Sequence, residues 1–332
     1  MLLEKVDVLS EEHREWLSWG RAKKNDAGEE KVNVYFRIYL IVLHRFDAEW
    51  AWRELDLWLH GKPQDFLIRA MWQFLRVRRE DVVRSAIEAE SRWVVGDQSE
   101  RLSLGGLLAH CAVVIKDPVA CDWLDALASG EQMPAVSTHG VLRWMRERAW
   151  LSKDEAVRTA SRNWLRRAAA NARVRREAAA AHEICFGVSA CLAHRSHDED
   201  PLSEDAKRDL ICAWQGVLID LAATLALNAY EVWQALGVAD AWLAVDPREA
   251  SEALRVLAER QEGGVNGAAA MMHARDVVAT IRSVATRIGG DPFATRSLLS
   301  LIERLVLTRS PKANALLPLR LELARSIKSG TS

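Results

Sequence analysis

Apolar positions recur every three or four residues along nearly the whole chain. In Leu104–Ile115 the apolar residues Leu104, Leu107, Leu108, Cys111, Val114 and Ile115 fall on one helical stripe, which also places Cys111 in a core. Helix starts are legible where Asp precedes Pro, at Asp117, Asp200, Asp246 and Asp291. The Asp side chain suits an N-cap, and proline, with its fixed φ and no N–H, suits the first helical position. Asp246 with Glu249 has the spacing of a capping box, as has Ser152 with Glu155. Stops follow at Gly61, Gly96, Gly130, Gly263 with Gly264, and Gly289 with Gly290. These marks predict about fourteen to sixteen helices. Residues 32–46, rich in Val, Ile, Tyr and Phe, have the composition of a buried strand, but a lone strand has no partner for its backbone, so a buried helix is expected. The predicted class is all-α.

A longer period overlies the helical one. The starts at Asp200, Asp246 and Asp291 are 46 and 45 residues apart, and each is followed by about two helices. Ten and eleven residues after each Asp stand Leu210 and Ile211, Val256 and Leu257, and Leu301 and Ile302; further on, Val232, Val278 and Leu323 coincide. Over residues 200–330 this spacing resembles HEAT or armadillo-type repeats. The resemblance implies an array of antiparallel helix pairs stacked as an α-solenoid. Three regions are expected: an N-terminal helical region at 1–150, a long basic helix and linker at 151–199, and the repeat region at 200–332.

Composition narrows the class. The 332 residues are 49% hydrophobic and 27% charged with a net charge of -1, which excludes a disordered or histone-like chain. Glu4 and Lys5 stand where a signal peptide is apolar, and no apolar run approaches the about 20 residues of a membrane span. A cytoplasmic protein without membrane contact is expected. Cys111, Cys121, Cys185, Cys191 and Cys212 are odd in number and form no C-x-x-C pair, so free thiols are expected.

The motifs of common enzymes are missing. Neither a P-loop nor a G-x-G-x-x-G fingerprint occurs, nor the Asp-rich magnesium motif of the terpene synthases. His182-Glu183-Ile184-Cys185-Phe186 begins like a zinc-protease motif but lacks its second histidine, and Gly187-Val188-Ser189-Ala190-Cys191 lacks the final glycine of a nucleophile elbow. His182, Cys185, Cys191, His194 and His197 are ligand types, and a site among them would need the helix to break at Gly187. Their spacing matches no standard zinc site, and core packing is the expected role. No metal, no cofactor and no small-molecule substrate are expected.

Tryptophan is abundant, 14 residues against 9 Phe plus Tyr, and Trp50, Trp72 and Trp93, then Trp123, Trp144 and Trp164, recur at about one helix plus a turn. One aromatic anchor per helix interface is the expected role, with an aromatic groove for bases or a peptide as the alternative. The positive signal is basic. Residues 143–176 hold eleven Lys or Arg against Glu147, Asp154 and Glu155. At about 100° per residue Arg158, Arg162, Arg166, Arg173 and Arg176 share an arc of about 80°. Val157, Ala160, Trp164 and Ala168 lie opposite. The stripe suits an acidic protein surface, or nucleic acid with Trp144 or Trp150 for stacking, or solvent with acidic neighbours such as Glu199, Glu204 and Asp205. The expected function is a non-enzymatic helical-repeat scaffold or adaptor that binds a protein partner, with a nucleic-acid-binding helical-repeat protein as the alternative. A third reading is an enzyme with dispersed residues of the repeat-type DNA glycosylase kind, for which Asp81 after Arg78 and Arg79 is the candidate.

Overall fold

The computed structural model describes residue 11 and residues 48–59, 68–92 and 98–329, apart from gaps at 69–70, 73, 77, 130–134, 151, 194–207, 209–210, 213, 244, 275 and 289. The expected helix at 32–46, the Asp200 start, Leu210, Gly61, Gly96, Gly130, Gly289, Trp93, His194, His197, Glu199, Glu204 and Asp205 lie outside the described residues, as do the side chains of Trp50 and Cys191. Among the described residues there are fourteen α-helices and one two-residue-per-strand hairpin. The all-α class therefore holds. No single described helix is long and apolar enough to cross a membrane.

The chain forms two compact units, residues 1–124 and 125–332. In the first, α1 (Ala48–Leu59), α2 (Arg79–Arg92) and α3 (Gln98–His110) lead to the start of α4 (Pro118–Ser129). Trp52 meets Phe74 edge-on at 5.5 Å, and Ser85 on α2 donates to Asp56 on α1 at 2.9 Å. Asp117 is buried and caps α4 by accepting from the N–H groups of Val119 and Ala120, as its Asp-Pro dipeptide predicts. The stripe of Leu104–Ile115 departs from expectation at its end. Cys111–Ile115 is π-helical, and the wider turn shifts the phase. Leu104, Leu107, Leu108 and Cys111 stay buried, but Ala112 and Val113 take the next inward places and Val114 is exposed.

In the second unit α5 (Ala135–Trp144) passes into a π-helical turn at Met145–Ala149. Then come α6 (Glu155–Arg175), α7 (Ala178–Ala193), α8 (Val217–Thr224), α9 (Ala229–Leu243) and α10 (Pro247–Glu259). The hairpin is next, with strands Gln261–Glu262 and Val265–Asn266, and then α11 (Gly267–His273), α12 (Val277–Arg287), α13 (Pro292–Leu307) and, after a 3-10 turn at Pro311–Leu316, α14 (Leu317–Ser329). Gly263 and Gly264, expected as a helix stop, form the hairpin turn, both with positive φ. The helices pack in two rows. One runs α6, α8, α10, α13, α14 and the other α5, α7, α9, α12, with each helix touching its neighbours in the row. The rows meet through pairs such as α9 with α10 and α12 with α13.

Tryptophans fill the interior. Trp150, Trp164, Trp214 and Trp242 are fully buried, and Trp150, Trp214 and Trp242 form a chain with ring centroids 4.7 and 6.3 Å apart. The Asp-Pro starts at Asp246 and Asp291 are N-caps, as expected: Asp246 accepts from Glu249 N, and Asp291 from Phe293 N and Ala294 N. The segment after Asp246 holds three helices and a hairpin rather than two helices. Residues one spacing apart touch, since Ser297 on α13 donates to Glu252 on α10 at 3.1 Å. Cys111, Cys121, Cys185 and Cys212 are free thiols, and burial pushes Cys111 and Cys185 up to about 12.

Candidate functional site

The basic segment builds its site around α6. Asp154 is the N-cap, accepting from Ala156 N at 2.8 Å, while Ser152 accepts from Asp154 N at 3.2 Å. The capping box expected from Ser152 to Glu155 is thus replaced by a cap two residues later. Glu155, now in the first helical turn, is free to pair along the helix: Arg158 donates to it, Thr159 donates at 3.1 Å, and Arg162 stands 3.6 Å away. The Arg158 bond leads the contacts that hold the Glu155 carboxyl below its ordinary range. Arg158 also donates to the Ser152 carbonyl.

Most of the stripe is compensated inside the fold. Arg167 pairs with Asp125 at 2.5 Å and Arg173 with Asp220 at 2.9 Å, while Arg175 donates to Asn171 at 3.0 Å. Arg143 pairs with Glu147 at 3.1 Å. The helix ends at Arg175, and Arg176, the last residue of the expected stripe, is its C-cap in the left-handed conformation. Exposed Arg166 and Arg176 carry no ion pair among the described residues. Opposite the stripe Val157, Ser161, Trp164, Leu165, Ala168, Ala169 and Ala172 are buried, whereas Ala160, expected inside, is exposed.

The expected stacking platform is corrected. Trp144 and Trp150 are only 7% and 1% exposed, so neither offers a ring face to a base. The two indoles flank the π-helical turn at Met145–Ala149, Trp144 before it and Trp150 after it, and both lie on the core side.

The structure instead places Arg166 at a groove of about 440 Å³ between α6 and α8, lined by Arg166, Ala170, Gln215, Gly216, Val217 and Asp220. Gly216 has φ +91 as the N-cap of α8, a conformation that favours glycine. Below it, Glu249 Oε1 accepts from Gly216 N at 2.8 Å and Leu218 N at 3.2 Å. Its spacing from Asp246 makes Glu249 the expected closing residue of its own helix's capping box; it caps α8 instead. Burial pushes its carboxyl above the ordinary range, against the pull of the Gly216 and Leu218 N–H donors and of the nearby Trp242 indole. Among the described residues, neither its Oε2 nor the Trp242 indole N–H completes a hydrogen bond in good geometry. The groove is thus a mixed-sign surface: the Arg166 guanidinium, unpaired among the described residues, the Asp220 carboxylate held by Arg173, and the apolar side chains of Ala170 and Val217. Gln215, Gly216, Asp220 and Glu249 carried no site signal in the sequence, because only tertiary packing assembles them.

Other candidates resolve differently. Asp81, in the first turn of α2, pairs with Arg78 just before it at 3.4 Å. The helix α7 runs unbroken through Gly187, where a Cβ would stand 3.3 Å from Leu142, so the turn a site on His182, Cys185 and Cys191 required is not made. His182 lies against Tyr230 with ring centroids 5.6 Å apart and planes tilted by 43°, its Nδ1 3.9 Å from Glu231, and Cys185 is buried, where a raised pKa opposes thiolate formation. His139 and Glu183 form a further hydrogen-bonded pair. No group of three or more His, Cys, Asp or Glu disposed to hold a metal occurs among the described residues. No family model, no curated protein and no solved structure matches the chain.

Proposed function

We propose that the protein is a helical-repeat scaffold of the HEAT or armadillo kind that holds a protein partner at the α6–α8 groove. The observation that carries this reading is the state of the basic stripe. Arg158 and Arg162 are spent on Glu155, Arg173 on Asp220 and the neighbouring Arg167 on Asp125, which leaves a shaped groove at Arg166, unpaired among the described residues, rather than a phosphate track. Support for the repeat comes from the two helix rows, from equivalent caps at Asp246 and Asp291, and from the Ser297 to Glu252 contact one spacing apart. Stacked helix pairs give such a chain a rigid surface without any catalytic group.

The test is co-purification from the native host with wild type, Arg166→Glu and Ala170→Trp. Both changes sit on exposed positions of α6, so folding is retained. The proposal expects one partner set to be lost from both variants and unchanged in a control at exposed Asp122. Retention of every partner by both variants contradicts it. The nucleic-acid reading keeps Arg166 and Arg176, and two phosphate contacts give a salt slope of only about 1.4 to 1.8. A gel shift in the nanomolar range at physiological salt would favour that reading instead.

A further inference from the structure

α9 presents to solvent a stripe that its own fold engages only in part: Tyr230 lies against His182 and accepts from Gln234, while Trp233 stands out beside it. Tyr230 is 55% and Trp233 53% exposed, with ring centroids 6.4 Å apart. One turn beyond Trp233 lies Gly237, in the interior of the helix. Glycine weakens a helix relative to alanine, and a helical glycine is normally retained because a Cβ would collide with something. At Gly237 a Cβ would meet nothing within 4 Å. Asp240, a further turn on, is exposed and without a partner among the described residues. At about 100° per residue, Tyr230, Trp233, Gly237 and Asp240 share an arc of about 80°. The stripe therefore holds a large knob and an empty hole one turn apart.

We propose that this stripe docks a second copy of the chain, α9 against α9 in antiparallel register about a two-fold axis. An isologous interface makes each contact twice, so the surface must complement itself. Positions 233 and 237 share their midpoint, residue 235, with positions 230 and 240. In that register the Trp233 indole of each copy seats on Gly237 of the other, and Tyr230 of each faces Asp240 of the other. The Tyr230 hydroxyl accepts from Gln234 Nε2 at 2.9 Å, which leaves its own O–H free to donate to the opposing carboxylate. The two Asp240 side chains stand at opposite ends of the contact, so like charges are not opposed. An unrelated partner needs no such pairing of knob with hole and donor with acceptor about one midpoint. Four half-exposed aromatic rings, at about 150–250 Å² each when fully covered, bring one helix pair below the about 1,200 Å² of a stable complex. The dimer is thus expected to be weak and to dissociate on dilution. This surface is separate from the α6–α8 groove and stands without it.

Sedimentation velocity of the full chain from about 1 to about 200 μM is the test. Wild type is expected to shift from monomer to dimer across that range. Trp233→Ala should raise the dissociation constant more than about tenfold. Gly237→Ala separates the two roles: it should raise the melting temperature of the dilute monomer, because the added methyl meets nothing, and yet weaken the dimer. A wild type that stays monomeric throughout, or a dimer that both variants leave unchanged, overturns the proposal; so does a dimer strengthened by Gly237→Ala.

Discussion

Glu249 carries a carboxylate into the core of the second unit to serve a helix other than its own. Removing it in Glu249→Ala leaves the N–H groups of Gly216 and Leu218 unpaired, at about 1–3 kcal/mol for each buried donor. Chemical denaturation should show the loss. The pH dependence has a definite sign. Burial raises the folded-state pKa above the unfolded one, so the folded form binds the proton more tightly. Its stabilising share is complete below the ordinary carboxylate value and is lost as pH rises through the raised one. Glu249→Gln should therefore remove this one share, so that the urea midpoint of the variant gains on that of wild type as pH rises from about 4. An identical slope in both proteins would contradict this account. Gly267 is a second decisive residue: a Cβ there would stand 1.9 Å from the Leu257 carbonyl oxygen. Gly267→Ala should cost about 2–4 kcal/mol, and a change under about 0.5 kcal/mol would show that the approach of α11 to α10 yields easily.

At the scale of elements, cap chemistry was the most legible part of the sequence, because it is local. Asp117, Asp246 and Asp291 all cap the helices their Asp-Pro dipeptides announce. Asp246→Ala should cost about 0.5–2 kcal/mol by thermal unfolding, and a neutral result would mean that packing alone fixes the start of α10. Phase was less legible. The π-helical turns at Cys111–Ile115 and Met145–Ala149 rotate the side chains of their own and later positions, which exposes Val114 and brings Trp150 inside. A 3.6-residue period cannot foresee an inserted turn. The charge of α6 was visible, but its partners Asp125 and Asp220 lie 42 and 47 residues away in sequence, and only folding reveals them. The Arg173–Asp220 pair is half-exposed on its arginine side, so a double-mutant cycle should give a coupling below about 1 kcal/mol. A larger value would make it a structural clamp of the groove.

At the scale of the whole molecule, the second unit combines two helix rows with a groove whose floor is braced by Glu249 and whose wall carries Arg166. Under the proposed scaffold role, a partner bound at this groove withdraws the covered backbone from solvent. Hydrogen exchange on the complex with a co-purified partner therefore tests the central claim most directly. The account predicts new protection in Gly216 to Asp220 and on the Arg166 turn of α6, absent when Arg166→Glu replaces wild type. Protection confined to other helices, with residues 215–220 exchanging as in the free protein, would contradict it.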